Sequence, residues 1–355
     1  MFYFDLAICS IIALAASGVM DILITNGEHR LIDDPNKRKT AKMLLLLLPF
    51  ILLVGMREPR LYSDALSYWR EFGRTYSWSD VLEAEKDGGW IVVQILLKKI
   101  NQSPRFLMMF ISALFGLTFA AFAGRNTKYR WLAVMLYVCF GLFKFQFTAM
   151  RQCTAIALCL IATRFMEKKK IIPFAICVFL AFTVHASALV FVPVFFVVFL
   201  KDNKLSRIIT VAAAIVVTIF SNSIFSLFSE NVADYDRYNI DYADEGGLIF
   251  AVIAVAVTIF IEINRKELLK QKPQLLPYYY LNFAFMCMCL LRVVFPMLER
   301  VKFYYLPFNI VILSESMALY WKKGDFEKIL IVIAVICCLA YFWYNTKGFT
   351  YLLSF

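Results

Sequence analysis

Four groups of polar residues lie at the edges of apolar stretches, where they can do chemistry. Met150-Arg151-Gln152 opens the stretch Thr154 to Phe165, and His185-Ala186-Ser187 sits between two more. A guanidinium at a helix start makes an anion site, because free N–H groups and the helix dipole add to its charge. The plain alternative is an arginine snorkelling to lipid headgroups. A histidine between apolar segments can act as general base or acid, or donate to a phosphate. The competing reading is a structural histidine with its ring satisfied. The third group is Gly55-Met56-Arg57-Glu58-Pro59 followed by Ser63-Asp64-Ala65-Leu66-Ser67-Tyr68. Asp64 and Tyr68 are four apart and share one helical face. The fourth is Arg292 with Glu299-Arg300-Val301-Lys302-Phe303-Tyr304-Tyr305. Clustered cations of that kind suit a departing diphosphate, or lipid headgroups. No Ser/His/Asp triad is evident.

The elements that must position these residues are membrane spans. The chain has 355 residues, of which 61% are hydrophobic and 17% aromatic, and its mean hydropathy is +0.70. Apolar runs of span length recur from end to end, the pattern of an all-α polytopic membrane protein. A β-barrel would alternate at period two, and Leu44 to Leu48 excludes it. We count about twelve segments (range 10–13): 2–25, 41–56, 105–124, 131–147, 152–166, 171–184, 187–200, 206–225, 248–263, 276–293, 302–320 and 327–345. The segments 171–184 and 187–200 are short, so they tilt, shelter behind neighbours or form a re-entrant pair. The stretch Phe2 to Thr25 reads as a retained span. The whole chain, 1–355, forms a single integral membrane domain.

The net charge of +11 does not point to nucleic acid, because the basic residues cluster in short loops as the positive-inside rule requires. Nine cysteines lie in or beside apolar segments and read as small buried hydrophobes. With two histidines, neither a metal site nor a cofactor is expected.

Loop charges set the orientation. Alternate loops carry Arg30 to Lys42, Arg125 to Arg130, Lys168 to Lys170, Lys201 to Arg207, Arg265 to Lys272 and Lys322 to Lys328, and are assigned to the cytoplasm. The loop 226–247 is acidic and external, and both termini fall outside. Arg57, Asp64, Arg151, His185, Arg292 and Arg300 then share the external face. The long external loop 57–104 is expected to be helical over Leu61 to Tyr76 and Ser79 to Glu85, with Ser79 as a cap and a break at Gly88-Gly89. Trp90 to Ile100 is amphipathic. It lies in the membrane interface or covers the site as part of a lid.

Set in order, these stretches resemble one family. GMREPRLYSDALSYWREF (55–72) with DGGWIVVQILLKKI (87–100) is similar to the opening of the EpsG family, which contains Wzy-like polymerases of exopolysaccharide, capsule and O-antigen. MRQCTAIALCLIATRFMEKKK (150–170) resembles its central Met-Arg-Gln helix, FLAFTVHASALVFVPVF (179–195) its His-x-Ser-Ala element, and ERVKFYY (299–305) its late Arg-x-x-x-Tyr element. The chain departs before Asp64, where Arg60-Leu61-Tyr62-Ser63 replaces a Val-Gly-x-Asp-type sequence.

The resemblance implies a GT-C-like, metal-independent glycosyltransferase. It would join undecaprenyl-diphosphate-linked repeats, donor and acceptor, on the outer face of the bacterial cytoplasmic membrane. Membrane lipids, a flippase and a chain-length regulator are its implied partners. Arg151 and Arg300 would hold the diphosphate, assisted by Arg57 or Arg292. His185 is the first choice of base and Asp64 the second. Tyr68, Gln152 and Tyr304 would bind sugar or phosphate. A transporter or flippase would instead hold charge near the midplane, where Lys144 is the main candidate. A ligase or O-acyltransferase would share the external site.

Overall fold

Ser112, Gly116, Ala120 and Gly124 recur at every fourth position of the helix Pro104–Asn126. Such a stripe of small side chains lets a second helix approach to backbone contact, and here the partner is the helix Pro35–Gly55. A Cβ at Gly124 would stand 2.9 Å from the Lys39 carbonyl oxygen. Ser112 Oγ donates to the Ile51 carbonyl across the same seam at 2.7 Å.

The computed structural model describes residues 4–26, 34–74, 76–84, 87–228, 246–292 and 298–352. They form two compact units. The first holds the chain up to Thr163, Phe179–Ala186 and the chain from Val332 onward; the second holds Arg164–Val178 and Ser187–Ile331.

The first unit begins with β1 (Phe4–Asp5), α1 (Leu6–Asn26) and α2 (Pro35–Gly55). Asp34 caps α2 by accepting from the Asn36 and Lys37 amides at 2.8 and 3.3 Å, with Pro35 in the first turn, where its missing N–H is harmless. A 3₁₀ turn (Pro59–Leu61) leads to α3 (Ser63–Gly73), α4 (Trp78–Glu83) and α5 (Gly88–Lys98). Then come α6 (Pro104–Asn126), α7 (Arg130–Cys139), α8 (Leu142–Phe145), α9 (Met150–Glu167) and α10 (Ile171–Val184), of which Arg164–Val178 belongs to the second unit. The late strand β2 (Thr350–Tyr351) pairs antiparallel with β1.

In the second unit a 3₁₀ helix (Ala186–Phe199) precedes α11 (Lys204–Phe228), α12 (Gly246–Gln271) and α13 (Leu276–Leu291). The short α14 (Leu298–Val301) and α15 (Leu306–Trp321) follow, then α16 (Asp325–Thr346), which belongs to the first unit from Val332 onward. A polar thread ties α12, α13 and α15: Asn309 donates to Asn282 at 2.6 Å, and Asn282 to Thr258 at 3.1 Å. Buried interhelical hydrogen bonds of this kind fix register where both helices are otherwise apolar.

Every one of the twelve expected segments carries helix. Among the described residues, five helices are long and apolar enough to cross a membrane: Leu6–Thr25, Pro104–Asn126, Leu248–Gln271, Pro273–Leu291 and Asp325–Thr346. The chain is therefore an all-α protein compatible with a polytopic membrane architecture. Several details differ from the expectation. The segment 131–147 is broken at Gly141, whose φ of 84° ends α7. Lys144 lies just past this break and donates to the Asn345 carbonyl at 2.7 Å. The segment 187–200 is a 3₁₀ helix of 14 residues. At roughly 2.0 Å per residue it reaches about 28 Å, close to the ~30 Å hydrocarbon core that an α-helix of this length would fall short of. The cap of α4 is Ser77, not Ser79, since Asp80 accepts the Ser77 amide at 2.5 Å. Gly88-Gly89 opens α5 and does not break it; the turn comes at Asp87, in the left-handed region. The acidic loop 226–247 lies almost wholly outside the described residues.

Candidate functional site

The first unit gathers Arg151, His185 and Tyr68 with two carboxylates. Arg151 projects from the first turn of α9. That helix start is held by Arg57, which follows α2. Arg57 is buried, and its Nε donates to the Phe147 carbonyl at 3.1 Å while Nη1 donates to Val54 at 2.5 Å. Its guanidinium also lies 5.6 Å from the Phe147 ring. Burial pushes the Arg57 pKa down to about 10, and the nearby Arg105 adds to that.

Around Arg151, α3 and α5 each supply one face. Residues three or four apart share a helical face, so α3 presents Tyr68 with Glu71, and α5 presents Trp90 with Gln94. The Arg151 guanidinium stands 5.4 Å over the Tyr68 ring. Its Nη2 lies 3.3 Å from Glu71 Oε2, and its Nη1 3.3 Å from Asp87 Oδ2. Gln94, itself fully buried, donates to Glu71 Oε1 at 3.0 Å. Trp90 packs edge-on against Tyr68 at 5.6 Å.

His185 arrives from the other direction. Its amide closes α10 on the Ala181 carbonyl at 2.9 Å, one residue before the backbone tightens into the 3₁₀ helix. Its Nδ1 lies 3.7 Å from Asp87 Oδ2, beyond hydrogen-bond length but well within reach of charge. Burial alone would raise the Asp87 pKa. His185 and Arg151 together more than offset that and leave it below the ordinary aspartate value.

Of the expected residues, the structure thus joins Arg151, His185 and Tyr68 through Asp87 and Arg151's own contacts. Gln152 is buried in the same first turn of α9, and Asp64 sits half-buried one turn before Tyr68 on α3. Glu71, Asp87 and Gln94 escaped the sequence reading. Two signals could have found the acids: Glu71 is three residues from Tyr68, and Asp87 precedes two glycines that open an apolar helix.

The second unit holds its own cationic patch. Arg292 Nε lies 2.7 Å and Lys302 Nζ 2.6 Å from opposite oxygens of Glu299. Lys302 is buried, 3.9 Å over the Phe250 ring. Arg300 follows Glu299 on α14, half-buried. Tyr304 is buried, and its hydroxyl meets Ser187 Oγ at 2.9 Å. All nine cysteines are free thiols. Among the described residues, no group of three or more His, Cys, Asp or Glu side chains is placed to hold a metal ion.

A many-helix membrane protein with arginine sites beside carboxylates and a histidine is the class that this fold and these sites define. The chain belongs to the EpsG family, whose model matches residues 41–354. That is a family of Wzy-like polymerases linked to exopolysaccharide synthesis. No curated protein and no solved structure matches the chain.

Proposed function

We propose that the protein lengthens a bacterial polysaccharide by joining undecaprenyl-diphosphate-linked oligosaccharide repeats on the outer face of the cytoplasmic membrane. The acceptor hydroxyl oxygen attacks the donor's anomeric carbon. The bond from that carbon to the diphosphate oxygen breaks, and its electron pair leaves with undecaprenyl diphosphate. The acceptor proton passes to His185. Arg151 stabilises the charge that builds on the leaving diphosphate, with Gln152 and Tyr68 beside it. Asp64 is the second candidate base. In the second unit, Arg292, Arg300 and Tyr304 bind phosphate or sugar on their own patch. All twelve apolar segments cross the membrane in a GT-C-like arrangement.

One observation carries this reading most directly: Asp87 faces both Arg151 and His185. An anion-binding cation and a titratable base are thereby brought into one small site, as transfer from a diphosphate requires. Pairing of β1 with β2 supports the shared face of the two chain ends.

The test is a reconstituted assay with defined lipid-linked repeats. Wild-type protein yields a polymer ladder. Arg151→Ala and His185→Ala should slow chain extension by about 10²-fold or more and leave single repeats on their carrier, with insertion unchanged. Normal-length polymer from both variants would sink the assignment.

A further inference from the structure

Arg151 does not wait as a bare cation. Glu71 and Asp87 each lie 3.3 Å from it, so two carboxylates face one guanidinium. A diphosphate must displace them to use the same donors, since its oxygens seek the same fork of N–H groups. The two carboxylates differ in what they touch next. Glu71 accepts from Gln94 and, at 3.4 Å, from Tyr76. Asp87 faces His185 Nδ1 at 3.7 Å.

The turn is built to hold Asp87 there. Its backbone is left-handed, with φ 56° and ψ 28°, a conformation that aspartate tolerates better than most residues. Gly89 then seats α5 directly on the end of α10. A Cβ at Gly89 would stand 2.8 Å from the Thr183 carbonyl carbon, two residues before His185. The missing side chain at Gly89 thus brings Asp87 to His185.

We propose that Asp87 is a positioning residue that couples the anion site to the base. At rest its carboxylate is shared between Arg151 and His185. A diphosphate that takes Arg151 releases the Asp87 carboxylate to His185. Held at Nδ1, the imidazole presents Nε2 as the proton acceptor, because the partner of one ring nitrogen sets the role of the other. This rests on Arg151 as the anion site and His185 as the base.

The experiment uses the full chain in lipid nanodiscs. Binding of inorganic diphosphate is measured by calorimetry, and kcat and KM with lipid-linked repeats. Asp87→Asn should bind diphosphate about two- to fivefold tighter, because a competing charge is gone. Its kcat should fall roughly tenfold or more without a rise in donor KM. Glu71→Gln should also tighten diphosphate binding, with a smaller loss of kcat than Asp87→Asn. A merely structural Asp87 would weaken binding and turnover together, and that result overturns the proposal, as does wild-type kcat in Asp87→Asn. If Asp87→Asn does not insert, Gly89→Ala serves in its place. It lifts the turn from Thr183 and must lower kcat while diphosphate binding holds or tightens; unchanged kcat in that variant counts against the proposal. The underlying reading fails separately, if Arg151→Gln binds diphosphate as the wild type does.

Discussion

Phe4 pairs with Tyr351 across a two-stranded antiparallel sheet, so the first and last described strands lie side by side. The same corner is tied to the end of α2. Tyr351 Oη donates to the Leu53 carbonyl at 2.9 Å, Tyr62 Oη donates to Thr350 at 3.1 Å, and the Glu58 amide donates to Leu352 at 2.8 Å. Arg57, one residue away, bonds to the Phe147 carbonyl just before α9. Chain ends, Arg57 and the helix start that bears Arg151 therefore form one connected layer. A membrane chain that returns to its starting face crosses an even number of times, as the proposed arrangement of twelve spans does.

Topology reporters test this directly. Tags at the two ends should both report the outer face, and a tag in the Lys168 to Lys170 loop the inner face. Protection of one end and exposure of the other would contradict both the pairing and the even count.

Most of the helix content was legible in the sequence because apolar periodicity and loop charge are local signals. The twelve segments were marked by runs such as Leu44 to Leu48 and by basic loops. What escaped depended on contacts distant in sequence. Glu71 and Asp87 look like ordinary loop acids until the fold brings Arg151, 80 and 64 residues further on, between them. Gly88-Gly89 reads as a break by composition, yet close packing of Gly89 on Thr183 is what requires glycine at that position. By sequence alone Arg57 is a substrate contact. Its buried bonds to two backbone carbonyls also make it a bracket, a role that only tertiary structure reveals.

Arg57 should therefore matter to stability as well as to activity. Removing it leaves the Phe147 and Val54 carbonyls without their charged donor, a loss of about 1.5–3 kcal/mol for each such bond. Arg57→Ala should show a clearly lower apparent melting temperature in detergent. Arg57→Lys should fall between the two, since one ammonium cannot reproduce the planar fork. An unchanged melting temperature with lost polymerisation would reassign Arg57 to substrate binding alone.

Asp87 sets a pH dependence whose sign follows from its lowered pKa. A carboxyl that is more acidic folded than unfolded contributes stability above its unfolded value, about 3.9, and loses it as pH falls through the folded value. Docking of Asp87 and α5 should therefore persist at pH 5 and weaken only below the ordinary aspartate range. Hydrogen exchange of α5 amides, read as the difference between wild type and Asp87→Asn, isolates this group from neighbouring Glu71. The difference should be large at pH 5 to 7 and shrink toward pH 3. A difference that grows on acidification would reverse the sign and exclude the carboxylate as the anchor.

The seam between α2 and α6 offers a test of packing apart from chemistry. A side chain at Gly124 meets backbone, with Lys39 oxygen 2.9 Å and Lys39 carbonyl carbon 3.1 Å from the added Cβ. Backbone cannot rotate out of the way as a flexible side chain can, so the helices must separate. Gly124→Leu should destabilise the protein by about 1–3 kcal/mol, the usual range for overpacking. At Gly73, at the end of α3, an added Cβ meets nothing within 4 Å, so Gly73→Ala should leave stability unchanged or slightly higher. Thermal unfolding of the two variants in the same detergent compares them directly. If Gly124→Leu melts with the wild type, α2 and α6 are not in backbone contact and the seam is wrongly described.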